Sequence, residues 1–231
     1  MKLAKRQKKI NEVVDISKKY SLKQAVEVLK KCPPAKFDES IELSLILGVD
    51  PKKSDQQVRG TVSLPSGTGK SIRIVALCKG DNVKKATEAG ADHVGDTDII
   101  AKIKGGWTDF DVLVVTPDMM RDVGKLGKIL GPRGLMPSPK GGTVTTDIAK
   151  AIDEVKKGKI EFKVDKNSVI NSFIGKLSFT VDQIMANLEE LLSAIIKAKP
   201  SSSKGVYMKG LYLSTTMGPG INIDVNALNI N

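Results

Sequence analysis

Ser71-Ile72-Arg73-Ile74-Val75-Ala76-Leu77, followed by Asp81-Asn82-Val83-Lys84-Lys85-Ala86-Thr87-Glu88-Ala89, is the stretch whose reading settles the fold. The first segment predicts a strand over Ile72–Leu77 and the second a helix over Asp81–Ala89. The same order continues downstream. A short extended segment at His93-Val94 precedes a helix over Asp96–Lys104, and the apolar run Asp111–Val115 predicts a strand. A helix from Asp118, a Gly/Pro-rich loop over Gly131–Gly142 and a helix over Asp147–Lys157 complete the block. Asp81, Asp96 and Asp147 are expected N-caps, because a short carboxylate accepts from the unpaired amides of a first helical turn. Strand and helix in alternation predict a three-layer α/β unit around a parallel sheet.

The flanking sequence has a different rhythm. Ser21 and Gln24 form a capping box that opens a helix over Leu22–Lys31, which Pro33-Pro34 ends. Ile41, Leu43, Leu45 and Leu47 then alternate with polar or smaller residues, predicting a strand over 40–48, with another over 57–64. After Gly158 come strands over Ile160–Val164 and around Phe173–Phe179. A helix follows with Val181, Ile184, Met185, Leu188, Leu191, Leu192 and Ile195 on one face, and a last strand runs over Gly205–Leu213. One long helix and a few strands are marginal as an independent domain. The expected organisation is therefore a discontinuous α+β domain of residues 1–66 and 159–231 with residues 67–158 inserted. The two crossings are hydrophilic and glycine-bearing, so Ser66, Gly67, Gly69, Gly158 and Lys159 are hinge candidates.

Charge narrows the function. The 231 residues carry 37 Lys and Arg against 26 Asp and Glu, a net charge of +11 and an isoelectric point near 9.5. That excess favours a polyanionic partner. A membrane is the weaker choice, because no apolar run approaches the roughly 20 residues a spanning helix needs and Met1-Lys2-Leu3-Ala4-Lys5-Arg6 lacks the apolar core of a signal peptide. A cytoplasmic location is expected, with Cys32 and Cys78 as reduced, buried thiols and no metal or cofactor. The first 31 residues hold 10 basic and 3 acidic groups, with Lys5, Arg6, Lys8 and Lys9 on one expected helix.

Catalytic signals are sparse. Gly67-Thr68-Gly69-Lys70-Ser71 resembles the end of a P-loop, but the first glycine of that motif is replaced by Leu64 and Ser71 leads into a strand instead of a helix. Arg133 and Lys140 in the Gly131–Gly142 loop could meet a phosphate, although a connecting loop is the simpler reading. His93 is the single histidine, and Glu189-Glu190 lie on the polar face of the long helix. A nucleotide-binding enzyme or sensor using the α/β insert is the alternative to a binding protein.

Ser214-Thr215-Thr216-Met217-Gly218-Pro219-Gly220 offers hydroxyls, one adaptable apolar side chain and two glycines, chemistry suited to close approach by a ribose-phosphate chain. Lys36-Phe37-Asp38-Glu39-Ser40 supplies a cation, an aromatic face and acceptors for a 2′-hydroxyl, although Phe37 taken alone reads more simply as a core residue. With aromatic residues at only 4%, recognition through shape and backbone fits better than base stacking.

These segments, with Asp55-Gln56-Gln57-Val58-Arg59-Gly60-Thr61, Gly131-Pro132-Arg133-Gly134-Leu135-Met136-Pro137, Asp165-Lys166 and Gly175-Lys176, closely resemble the bacterial large-subunit ribosomal protein L one family over essentially the whole chain. The resemblance implies a split RNA-binding domain with a Rossmann-like insert. It implies binding to 23S rRNA at the mobile stalk of the large ribosomal subunit, help in releasing deacylated tRNA from the E site, and repression of the protein's own operon mRNA. Carried over residue by residue, it places RNA contacts at Lys5, Lys36, Phe37, Glu39, Ser40, Lys166, Thr215, Thr216, Met217, Gly218 and Gly220. The family commonly has a glycine and an Ile-His pair after the Asp-Lys, where this chain reads Lys166-Asn167-Ser168-Val169-Ile170-Asn171. Asn171 stands where a histidine contact would otherwise be expected.

Overall fold

The computed structural model describes residues 5–15 and 17–228. In chain order its first elements are α1 (Lys5–Val13), α2 (Leu22–Lys31), β1 (Ser40–Leu47) and β2 (Arg59–Ser63). Next come β3 (Ile74–Leu77), α3 (Asp81–Glu88), β4 (His93–Gly95), α4 (Thr97–Lys104), β5 (Val112–Val115), α5 (Met120–Gly124), α6 (Gly127–Leu130) and α7 (Ile148–Lys156). The last are β6 (Lys159–Lys163), β7 (Val169–Lys176), α8 (Val181–Lys197), β8 (Met208–Thr215) and β9 (Ile221–Ile223). Two compact units result: one from residues 1–69 with 160–231, the other from residues 70–159.

In the first unit an antiparallel sheet runs β7-β1-β8-β9. Central β1 pairs through Leu43 with Ser172 on one side and Leu213 on the other. Period-two alternation sends Ile41, Leu43, Leu45 and Leu47 into the core, where they join Ala25, Val26 and Leu29 of α2 and the apolar stripe of α8. Both helices open with capping boxes, Ser21 with Gln24 and Thr180 with Gln183, so their first turns are satisfied before any packing. Each of the fully buried Leu and Ile side chains contributes about 1.5–3 kcal/mol relative to exposure. β2 and β6 form a separate two-stranded ribbon.

The second unit is the three-layer arrangement that strand–helix alternation requires. Its parallel sheet has the order β4-β3-β5, with Val75 opposite both His93 and Leu113. All four residues of β3 are buried, because both faces are covered. Ile74 and Ala76 join Ala86 of α3 and Ile152 of α7, whereas Val75 and Leu77 join Ile100 of α4 and Val123 of α5.

Local departures from expectation have simple causes. Asp96 and Asp147 cap α4 and α7, but the α3 cap is Gly80, at φ 62° and ψ −135°, and Asp81 falls within the first turn. A backbone at that φ favours glycine over aspartate. The helix expected from Asp118 is a 3-10 turn at Pro117–Met119 followed by the short α5 and α6, interrupted around Lys125-Leu126 between two glycines. The final strand runs to Thr215, and a further strand, β9, follows the Thr216–Gly220 turn.

Candidate nucleic-acid interface

At the Ser40 end of β1, three segments distant in sequence converge on one carboxylate. Pro33 cannot extend α2, so the chain leaves the helix at Cys32 in an extended conformation and reaches β1 through residues 33–39. Glu39, the last residue of this link, is 1% exposed. Its Oε1 accepts from Arg6 Nη2 at 2.9 Å and from the Ala35 N–H at 3.0 Å, and its Oε2 accepts from the Met217 N–H at 3.0 Å. The Thr215 hydroxyl is a further donor. Burial pushes the carboxyl pKa up, but the donors from Thr215, Met217, Ala35 and Arg6 together outweigh burial and hold it below the ordinary glutamate value.

Arg6 completes the knot. Its Nη1 donates to the Met217 carbonyl at 2.9 Å, and its Nε and Nη2 donate to the Pro33 carbonyl at 3.3 and 3.1 Å. The guanidinium thus ties α1 to the 33–39 link and to the loop between β8 and β9. The Thr216 hydroxyl accepts from the Ser40 N–H at 3.0 Å, and the Thr216 N–H donates to the Ser40 carbonyl at 3.1 Å, which extends the β1–β8 pairing by one residue. On the opposite edge, Lys176 Nζ donates to the Asp38 carbonyl at 3.2 Å, and the Ser178 N–H and hydroxyl both donate to the Asp38 carboxylate.

Held in this way, the link and loop turn other side chains outward. Phe37 is 54% exposed and Met217 56%, so Phe37 is not the core residue that the isolated sequence suggested. Lys36 and Thr216, their chain neighbours, are exposed, as is Lys5 in α1, and Ser40 and Gly218 are half-buried. Glu39 and Thr215 face inward, so the expectation that Glu39 offers acceptors to a ribose hydroxyl is corrected: its oxygens are engaged inside the protein. Arg6 matches the Glu39 charge at 2.9 Å.

The two loop glycines differ. A Cβ on Gly218 would lie 2.2 Å from the Thr215 hydroxyl oxygen, so a side chain there would displace the hydroxyl that donates to Glu39. A Cβ on Gly220 would meet nothing within 4 Å.

Lys166 does not join this cluster. It lies in the turn between β6 and β7, beside the Leu47 end of β1, where Ile46 pairs with Val169. β1 has eight residues and so spans roughly 25 Å at about 3.3 Å per residue. In that turn Asp165 Oδ1 accepts from the N–H groups of Asn167 and Val169, both at 2.8 Å. Ser168 adopts φ 64°, a left-handed conformation that non-glycine residues seldom take, and its hydroxyl donates to the Val49 carbonyl at 2.9 Å. Exposed Asn171 accepts from the Ser44 hydroxyl at 2.8 Å.

Among the hinge candidates, the Ser66 N–H donates to Asn187 Oδ1 at 3.0 Å, and Asn187 Nδ2 donates to the Gly67 and Ile174 carbonyls at 3.1 and 2.8 Å. A buried side chain of α8 therefore fixes the inbound crossing through Gly67. Gly67, Gly69 and Gly158 have φ of 69°, 68° and 99°, and Lys159 donates to Glu154 at 2.7 Å.

No helix follows Gly67–Ser71, so the segment presents no helical amides to a phosphate. His93 packs edge-on against Trp107 at a centroid distance of 5.0 Å, and Arg133 donates to the Thr108 hydroxyl. No group of three metal-binding side chains lies together among the described residues, and none of their helices is long and apolar enough to cross a membrane.

The knot was hidden from sequence reading because its charges lie 33 positions apart. Arg6 was visible only as one cation in a basic run.

Comparison with known proteins adds an independent result. A family model described as "Ribosomal protein L1p/L10e family" matches residues 28–219. The chain is 59% identical over 222 residues to the large ribosomal subunit protein uL1 of Protochlamydia amoebophila, covering 96% of this chain and 94% of that relative. It is 58% identical to the protein of the same name from Chlamydia pneumoniae, with 98% of both chains covered, and 54% identical to that of Phocaeicola vulgatus, with 100% and 99% covered.

Proposed function

From the premise that this chain belongs to the Ribosomal protein L1p/L10e family, we propose that the Arg6–Glu39 knot holds an RNA-binding platform on its discontinuous unit. The chain is a structural, non-enzymatic ribosomal protein of the uL1 kind, a component of the large subunit associated with rRNA. The finer reading is that the platform docks 23S rRNA at the mobile stalk near the E site. There the protein assists departure of deacylated tRNA, and by binding a similar fold in its own operon mRNA it represses its synthesis. The observation that carries this reading is the outward display of Phe37 and Met217 by segments whose polar groups are tied beneath them. Lys5 and Lys36 add sequence-independent affinity for phosphate, and the Thr216–Gly220 loop supplies fit.

Lys166 belongs to the same surface only if the RNA runs the length of β1. The hinge candidates serve movement of the insert as RNA binds, with the pivot beyond Gly67 because Asn187 restrains the chain up to that point.

Hydroxyl-radical footprinting of large-subunit rRNA with purified protein tests the proposal. Protection of one stalk region, lost on Met217→Glu, is the expected outcome; uniform weak protection along the RNA would refute it. Single-pair fluorescence between the two units tests the hinge, since identical distance distributions with and without RNA would remove any linked motion. Calorimetry with ATP, GTP and NAD separates this reading from a nucleotide-binding insert, which requires saturable heat.

A further inference from the structure

The helical side of the discontinuous unit holds an open groove of about 790 Å³, lined by the first turn of α2, the middle of α8 and the 3-10 turn at Val225–Ala227. It opens at the N-terminal end of α2, a helix of ten residues, so roughly 15 Å of helix separates it from the Pro33 link. Leu22, Met185 and Leu228 contribute apolar surface. Glu189, Glu190 and Asp224 stand against the single cation Lys23. Glu189 and Glu190 are exposed and form no ion pair among the described residues. One oxygen of Asp224 caps its own turn by accepting from the Asn226 N–H at 3.1 Å, which leaves the negative charge in place.

This local sign opposes that of the molecule. In a chain of net charge +11 the groove is acidic, so it repels the phosphates that the platform attracts. We infer that it is a docking site for a basic polypeptide segment: a short extended stretch with Lys or Arg on either side of one or two aliphatic residues. The carboxylates supply charge complementarity for the cations. The apolar surface requires something more than charge and disfavours a bare polyamine. The volume suits a few residues of an extended chain and falls within the usual range for ligand clefts, about 300–1,000 Å³. This assignment is independent of the RNA reading, because none of the groove residues named above belongs to the platform.

The test uses the full chain and a fluorescein-labelled peptide, acetyl-Lys-Leu-Lys-Lys-Leu-Lys-amide, followed by anisotropy at moderate salt. Saturable binding is expected, weakened at least about tenfold by combining Glu189→Lys with Glu190→Lys, as reversal of two facing charges requires. Serine in place of both peptide leucines should weaken it as well. Unchanged thermal unfolding of the double variant establishes that the fold survives. Methyl-labelled methionine spectra of the unaltered protein provide a second readout, in which the Met185 resonance shifts on titration. Absence of saturable binding, equal affinity of the charge-reversed variant, equal binding of the serine peptide, displacement by equimolar spermidine, or a shift confined to Met217 would each overturn the assignment.

Discussion

At the Ser40 end of β1 a buried carboxylate gathers donors from α1, from the link after α2 and from the loop after β8, whereas at the Leu47 end the chain turns through Asp165–Ser168 on bonds that are mostly local. The first end is a long-range construction in which each donor depends on the same buried acceptor. The second is closed by the Asp165 carboxylate on amides two and four residues away, with two ties from Ser168, whose carbonyl accepts from the Leu47 N–H and whose hydroxyl donates to the Val49 carbonyl. Both ends carry residues that the family resemblance places on RNA, but only the first gathers several donors on one buried carboxylate; at the second, the buried Ser203 hydroxyl donates singly to the Gly48 carbonyl. A buried polar network whose members are all satisfied specifies one arrangement of the loop and link that it joins.

The largest effect expected from this contrast belongs to Glu39→Ala. It leaves Arg6 and the Met217 and Ala35 N–H groups without their shared acceptor, and about 2–3 kcal/mol of stability should vanish, discounted because Arg6 is partly exposed. Urea unfolding followed by circular dichroism measures this, and a loss below about 0.5 kcal/mol would reduce the knot to an ordinary surface pair. RNA affinity should fall in the same variant. Met217→Glu separates the two consequences: RNA binding weakens by about 1–3 kcal/mol while the unfolding midpoint stays in place. A parallel drop in stability would show that the Met217 side chain, and not only its backbone, supports the knot.

Acid provides a reversible version of the first experiment. The Glu39 carboxyl is depressed in the folded state, so its contribution is complete above the unfolded glutamate value of about 4.3 and is lost as pH falls through the lower folded value. Stability should therefore decline below about pH 4.3 in the parent more steeply than in Glu39→Gln; parallel pH profiles would exclude Glu39 as a source of the acid sensitivity. Smaller still is the charge comparison between the two ends. Lys5→Ala should reduce the salt slope of RNA binding by about 0.7–0.9, one phosphate's share. The same slope measured for Lys166→Ala decides whether the RNA reaches the Leu47 end, where no change would confine the interface to the knot.

Much of the architecture was readable because it rests on local signals. The α2 boundaries followed from a capping box at Ser21 and prolines at 33 and 34, and the β1 face from four aliphatic residues at period two. The parallel sheet followed from apolar runs separated by amphipathic helices. Signals failed where geometry was set from far away or by one unusual dihedral. Gly80 displaced Asp81 as a cap through its positive φ, and β9 was too short, after a Gly-Pro-Gly turn, to show a period. In the site, Phe37 and Met217 were legible as chemistry but not as exposed surface. Glu39 was legible as an acceptor but not as one already occupied, since Arg6 lies 33 residues upstream and Met217 178 downstream.

The order of strands in the sheet of the discontinuous unit has a consequence for the birth of the protein. β1 is made early, yet both of its neighbours, β7 and β8, follow the insert. At about 5–20 residues per second, several seconds pass in which Ile41, Leu43, Leu45 and Leu47 emerge from the synthesising ribosome with two unpaired strand edges, while the contiguous residues 70–159 are already able to fold. The Thr216–Gly220 loop arrives later still. The platform proposed for RNA is therefore incomplete in a nascent chain until nearly all of it has been translated.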